Sequence, residues 1–153
     1  MDLFEEWLCK EKEHTLIKRA LTDLSFKNVD HSILENKETN VELATYGDAV
    51  IKLCLSELFL DKVENITTEK EKYESDDYLV RHVAKHYEMI GHIRFDRGDK
   101  NRPQDYGEGI SDKLPESYKY LATAVEAVIG AIYKETHDLK AITKLLETWI
   151  DFE

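Results

Sequence analysis

Two segments of the sequence each place one acidic residue among small and apolar residues. Asp48 lies in the run "YGDAV" and Glu126 lies in the run "ATAVEAVIGAIY". An ionised carboxylate in such surroundings requires a cation or several hydrogen-bond donors, because burying a bare charge is very costly. If the two segments are neighbouring helices, a hard divalent ion such as Mg²⁺, with Mn²⁺ as a substitute, could bridge the two carboxylates. The pair is therefore a candidate metal site.

A simpler interpretation of Asp48 comes from the residue one helical turn later. Lys52 is spaced i, i+4 from Asp48, so the two side chains could form an ordinary ion pair on one helical face. Gly47 also has a structural explanation, because a glycine inside a helix costs about 1 kcal/mol relative to alanine and needs a reason such as close helix packing. The spacing alone leaves the metal ligand and the ion pair as open alternatives.

Apolar periodicity predicts that helices position these two acids. The predicted helices cover residues 3–13, 15–25 and roughly 38–62, the segment "YKYLATAVEAVIGAIYKE" after Ser117, and the final segment "DLKAITKLLETWI". Two further helices are predicted within "ITTEKEKYESDDYLVRHVAKHYEMIGHI". Residues 96–116 hold three glycines and both prolines with hardly any apolar periodicity, which predicts a long loop.

Length and composition favour one all-α domain. The chain has 153 residues, of which 42% are hydrophobic and 35% charged, with few glycines and two prolines. Lys plus Arg at 21 against Asp plus Glu at 32 gives a net charge of −11, which repels polyanions at long range although carboxylates attract divalent cations locally. The N-terminal segment "MDLFEEWLCKEKEH" is acidic and no apolar run is long enough for a membrane span, so we expect a cytoplasmic protein.

Three segments resemble the endonuclease domain of the ribonuclease III family. "NVELATYGDAVIKLCLSELF" is similar to the family's signature helix, and "LATAVEAVIGAIY" is similar to its second acidic helix. Upstream, "IKRALTDLSFKN" resembles a third family segment, with Asp23 where histidine is usual and Phe26 in place of tyrosine. The positions that match the first two patterns are Asn40, Leu43, Gly47, Asp48, Ala49, Val50, Ser56, Leu58 and Phe59, and then Leu121, Ala122, Glu126, Ala127, Ile129, Gly130, Ala131, Ile132 and Tyr133.

The resemblance implies a compact all-helical endonuclease fold over residues 1–153, without a double-stranded-RNA-binding domain. Its implied activity is Mg²⁺-dependent hydrolysis of phosphodiester bonds in double-stranded RNA. Asp48 and Glu126 would be the catalytic metal ligands. The family works as a homodimer with one metal site per subunit, and we expect the same here. The apolar surplus of Leu43, Tyr46, Val50 and Leu53 on the signature helix supports that expectation.

Departures from the family pattern bear on this activity. Ala44 and Thr123 stand where the family has its other two active-site carboxylates, and Val41 stands where a further acid is common. "LATYGDAV" and "ATAVEAV" are instead similar to segments of Mini-ribonuclease III, which suggests ribosomal RNA maturation as the role. Thr123 and Lys52 are secondary candidates for the site. The alternative is a catalytically inactive dimer that binds RNA or protein, because two carboxylates hold Mg²⁺ less well than four.

The predicted loop, together with Arg94 just before it, carries the densest set of basic residues, namely Arg94, Arg97, Lys100, Arg102 and Lys113. Arg97, Lys100 and Arg102 are candidates for phosphate contacts along the RNA backbone. A solvated loop is the alternative interpretation of the same residues.

Overall fold

The computed structural model describes residues 1–33, 36–106 and 113–152, and these form a helical fold. The α-helices are α1 (Leu3–Leu8), α2 (Thr15–Ala20), α3 (Val41–Phe59), α4 (Ile66–Glu74), α5 (Asp76–Tyr78), α6 (Lys119–Thr136) and α7 (Leu139–Trp149). A π-helical segment, Leu79–Ala84, continues α5, and 3-10 helices lie at Leu24–Asn28, Asn36–Glu38, Met89–Gly91 and Glu116–Tyr118. The described ranges contain no β-sheet, which confirms the all-α prediction.

Helix α6 forms the centre of the molecule. Its side chains are buried on most sides, because α3, α2, α1 and the π-helical segment all pack against it. Ala124, Val125, Val128 and Ile132 are fully buried on this helix. The apolar run around Glu126 therefore reflects a helix surrounded by other helices rather than one amphipathic face.

The α3–α6 contact is the most extensive in the fold, and it depends on two glycines. A Cβ atom added to Gly47 would lie 1.7 Å from the carbonyl oxygen of Glu126. A Cβ atom added to Gly130 would lie 2.4 Å from the carbonyl oxygen of Leu43. The two backbones thus touch where the helices cross, and only glycine fits at either position. The prediction of close helix packing at Gly47 is confirmed.

The first two helices are shorter than predicted. Helix α1 ends at Leu8 rather than at residue 13, because the polar segment "KEKEH" that follows offers no apolar face to bury. Helix α2 ends at Ala20 rather than at residue 25, because the chain then forms an isolated parallel bridge between Thr22 and Arg94. The Asp23 N–H donates to the Arg94 carbonyl oxygen, and the Arg94 N–H donates to the Leu21 carbonyl oxygen. These two backbone hydrogen bonds hold the chain away from helical geometry.

The apolar residues of α3 divide between the core and the surface. Leu43 and Val50 are buried in the core, so they cannot belong to an exposed apolar surplus as expected from the sequence. Tyr46 and Leu53 are exposed at 37% and 48%. Their exposure follows from the helical period, because positions 43 and 50 face α6 whereas 46 and 53 face outward.

The long irregular connection predicted over residues 96–116 is confirmed for residues 96–106 and 113–115, while residues 107–112 lie outside the described residues. No helix in the described part of the chain is long and apolar enough to cross a membrane.

Gly47→Ala tests whether the helix crossing requires glycine. The added methyl group would overlap backbone atoms of α6 that cannot rotate away, so we expect the free energy of unfolding to fall by roughly 2 kcal/mol or more. Gly91→Ala is the matched control, because no atom lies within 4 Å of its added Cβ. Urea denaturation of both variants measures the difference. Equal stabilities for the two variants would mean that α3 and α6 do not approach as closely as described.

Candidate active site

The helix crossing brings together the two acids singled out in the sequence. Asp48 follows the glycine of α3 that contacts the backbone of Glu126 on α6. The two carboxyl groups are within hydrogen-bonding reach of each other. Neither lies in the fully apolar surroundings that the sequence suggested: the side chain of Asp48 is 36% exposed and Glu126 is half-buried. The pair thus lies at the wall of an open cleft.

Glu126 is in an electrostatically unfavourable position for a negative charge. Its partial burial, followed by the hydrogen bond to Asp48 and the charges of Asp48 and Asp76, raises the pKa of Glu126 to about 9. Lys52 acts weakly in the opposite direction on that pKa. Without a further cation, the Glu126 carboxyl group is therefore protonated at neutral pH.

Asp48 and Lys52 form the ion pair that their i, i+4 spacing allowed. The ammonium nitrogen of Lys52 lies 2.9 Å from Oδ2 of Asp48, with the Lys52 side chain 48% exposed. The hydrogen bond to Asp48, followed by the Asp48 charge, raises the pKa of Lys52, so the lysine is charged at neutral pH. Asp48 therefore contacts both Lys52 and Glu126, and the two interpretations of Asp48 are not exclusive in this geometry.

A cleft of about 620 Å³ opens beside the two carboxylates. Ala44 and Thr123 line it, at the positions where the family resemblance has acids. Ala44 offers only a methyl group, and the Thr123 hydroxyl donates a hydrogen bond to the Lys119 carbonyl oxygen over 3.1 Å. Residues 1–33, 36–106 and 113–152 hold no group of three or more His, Cys, Asp or Glu side chains that could bind a metal ion. The cleft is lined by four acidic residues, Asp23, Asp48, Glu116 and Glu126, of which Asp48 and Glu126 act directly on each other.

Two carboxylates of this kind fit a hydrated Mg²⁺ ion. Mg²⁺ in proteins is commonly held by one or two carboxylates and keeps several waters in its octahedral shell. The small side chains of Ala44 and Thr123 leave space in the cleft for such waters. A divalent cation between Asp48 and Glu126 would also oppose the burial and the negative charges that keep Glu126 protonated.

The cleft is also lined by an ion pair, Arg102 with Asp23, that was not predicted from the sequence. Nε of Arg102 lies 2.8 Å from Oδ2 of Asp23, whose side chain is 4% exposed. The same Asp23 oxygen accepts the backbone N–H of Ser25 over 2.9 Å. In the sequence, the only indication of this pair was that Asp23 replaces the family's usual histidine. Arg102 could not be identified as its partner, because the two residues are 79 positions apart.

Asn40 also lines the cleft and is 1% exposed. Its side-chain amide has no hydrogen-bond partner among the described residues. The backbone of Asn40 is held by a hydrogen bond from its N–H to the Thr22 carbonyl oxygen, so the side chain stays at the cleft.

The three basic residues proposed to contact phosphate differ in their surroundings. Arg102 is engaged by Asp23 and also lies over the ring of Tyr120. Arg97 lies over the ring of Phe95, 4.3 Å from its centre, and donates to the Ile90 carbonyl oxygen. Lys100 is exposed. Arg97 and Arg102 thus help to fold the loop, and whether any of the three contacts RNA stays a prediction.

Comparison with known proteins identifies what the chain is similar to. The sequence model of the Ribonuclease III domain matches residues 41–137, which include both acids. Ribonuclease 3 of Clostridium beijerinckii is 29% identical over 124 residues, which cover 78% of this chain and 47% of that protein. Ribonuclease 3 of Clostridium botulinum, strain Eklund 17B, is 30% identical over 123 residues with the same coverage. The chain thus spans about half the length of the curated relatives it matches.

The fold is similar to a solved nuclease domain. The crystal structure of the nuclease domain of ribonuclease III from Campylobacter jejuni superposes with a TM-score of 0.68 at 21% identity. The superposition covers 95% of this chain and 92% of the other. At this identity the comparison establishes the fold alone.

Glu126→Gln tests the electrostatics of the acid pair. Because the folded-state pKa of Glu126 is above its unfolded value of about 4.3, the folded protein binds the extra proton between these two values. Stability of the wild type should therefore fall as pH rises through that window, whereas the glutamine variant lacks this contribution. Without divalent ions, we expect the variant to gain roughly 1–3 kcal/mol relative to wild type between pH 5 and pH 8. Denaturant unfolding at both pH values measures this, and a constant difference between the two proteins would contradict it.

Proposed function

This chain belongs to the ribonuclease III domain family, and we propose that it is a metal-dependent endoribonuclease that hydrolyses phosphodiester bonds of double-stranded RNA. The observation that carries the proposal is the facing of Asp48 and Glu126 across the α3–α6 crossing, at the wall of an open cleft. Family membership supports RNA as the substrate class. The pair of acids supports hydrolysis rather than binding alone, because it has the ligand chemistry of a divalent ion.

In this proposal, Asp48 and Glu126 hold Mg²⁺, and Mn²⁺ substitutes for it. A bound divalent ion supplies a water of lowered pKa and stabilises charge on the leaving oxygen. Asp48 and Glu126 act as ligands rather than as general bases. Glu126 would release its proton to solvent on holding such an ion, since the positive charge opposes the effects that raise its pKa. Ala44 and Thr123 contribute space rather than charge.

We propose that basic residues around the cleft position the RNA backbone. The net charge of −11 does not favour RNA overall, so the contacts must be local. Lys100 is exposed, and Arg102 lines the cleft while paired with Asp23. Arg97 lies in the same loop and is the third candidate. The salt dependence of duplex RNA binding reports how many such cations contact phosphate, because each contact releases counterions.

We also propose that the protein acts as a homodimer in which each subunit cuts one strand. The support from the structure is the outward face of α3, where Tyr46 and Leu53 are exposed at 37% and 48%. Dimer interfaces are more apolar than ordinary surface, and apolar residues grouped on one helix are suited to such an interface. Precursor ribosomal RNA in the cytoplasm is the first substrate to test.

The alternative is a ribonuclease III-like dimer that binds RNA or protein without cutting. Asp48 already has a partner in Lys52, so an ion is not required to satisfy it. Incubation of the protein with long duplex RNA and Mg²⁺, and then with EDTA, separates the two functions. Cleavage that EDTA abolishes supports the enzyme, whereas binding without cleavage supports the alternative.

Asp48→Asn removes a ligand charge while keeping the shape of the side chain. We expect cleavage of duplex RNA to fall by on the order of a hundredfold or more, while RNA binding persists through phosphate contacts elsewhere. Asp77→Asn is the matched control, because it breaks another i, i+4 ion pair, with Arg81, outside the cleft. A wild-type rate for Asp48→Asn would end the proposal that this acid holds a catalytic ion.

Leu53→Asp tests the proposed dimer. The wild-type protein should have twice the 17.9 kDa chain mass in light scattering, and a charge placed on the outward face of α3 should shift it toward the monomer. Circular dichroism should show unchanged helix content, because Leu53 lies outside the core. A wild-type mass of one chain at micromolar concentration would exclude a stable dimer.

A further inference from the structure

The ion pair between Lys52 and Asp48 occupies one of the two carboxylates that would hold a divalent ion. The ammonium group lies 2.9 Å from Oδ2 of Asp48, within hydrogen-bonding distance. The same lysine is close enough to Glu126 for its charge to act on that carboxyl group as well. The cleft wall therefore already contains one resident cation beside the proposed metal ligands.

The charge balance of this group weakens its attraction for a second cation. With Glu126 ionised, as it would be when it holds an ion, the two carboxylates and one ammonium group have a net charge of −1, whereas the two carboxylates alone would have −2. Ala44 and Thr123 add no charge to offset this. A unit positive charge about 5 Å from a divalent ion in water-like surroundings lowers the affinity for the ion roughly tenfold.

We propose that the Lys52 ammonium group competes with the divalent ion for the Asp48 carboxylate. This competition sets the ion concentration that the active site requires. This inference rests on the proposed function, since it concerns the same two carboxylates. Binding of the ion displaces the ammonium group from Asp48, and departure of the ion lets it return.

Glu74 provides a second position for the displaced lysine. It lies at the C-terminal end of α4, which packs against α3, and its charge acts on Lys52. One oxygen of the Glu74 carboxylate is shielded from solvent and has no hydrogen-bond partner among the described residues. The flexible lysine side chain can thus exchange one carboxylate for another instead of losing its partner.

Binding of Mn²⁺ in the absence of RNA tests this competition directly. Electron paramagnetic resonance of the free ion gives its dissociation constant for each protein, and displacement by Mg²⁺ gives the value for magnesium. Lys52→Gln removes the charge and keeps a polar side chain, so we expect binding about tenfold tighter than wild type. Lys52→Arg keeps the charge and should bind as the wild type does.

Lys72→Gln is the matched control, because Lys72 forms a comparable exposed pair with Glu69 at 3.0 Å outside the cleft. It should leave the dissociation constant unchanged. Two results together would overturn the competition and leave the metal site intact. The wild type and Lys52→Gln would bind Mn²⁺ with equal affinity, and Asp48→Asn would not bind it. Weaker binding by Lys52→Gln would also overturn the competition. Binding that Asp48→Asn does not change would remove the proposed metal site and the competition together.

Discussion

The close approach of α3 and α6 at Gly47 and Gly130 is the constraint on which the rest of the structure depends. The two backbones touch at this crossing, so a side chain at either glycine would collide with a carbonyl oxygen of the opposite helix. Asp48 is the residue after one glycine, and Glu126 lies one helical turn before the other. The packing of two helices thereby determines that two carboxylates face each other.

This arrangement has an electrostatic cost that the surrounding residues reduce only in part. Partial burial and the proximity of Asp48 raise the pKa of Glu126, and Lys52 offsets the negative charge of Asp48. Sites at which acids are held close together are frequently functional, because catalytic groups need pKa values that differ from those of free side chains. Here the open cleft beside the pair has room for the hydrated ion and the substrate that we propose.

Much of this site could be predicted from the sequence because its determinants are local. The apolar surroundings of Asp48 and Glu126, the glycine before Asp48 and the spacing of Lys52 all lie within single helices, where the 3.6-residue period relates sequence to position. The partial exposure of Asp48 and the outward direction of Tyr46 and Leu53 depended on which face of α3 meets α6. The pairing of Asp23 with Arg102 joins a segment after α2 to a distant loop, and no periodic pattern relates such residues.

We propose that the carboxylates of Asp48 and Glu126 share a divalent ion at the helix crossing. Anomalous scattering from crystals of the wild-type protein grown or soaked with Mn²⁺ tests it most directly, since the signal locates the ion without reference to activity. We expect one ion in each chain, in contact with carboxylate oxygens of both residues, with the Lys52 ammonium group moved away from Asp48. Mn²⁺ bound elsewhere in the chain, with the Lys52–Asp48 pair still closed and no ion beside Glu126, would contradict it.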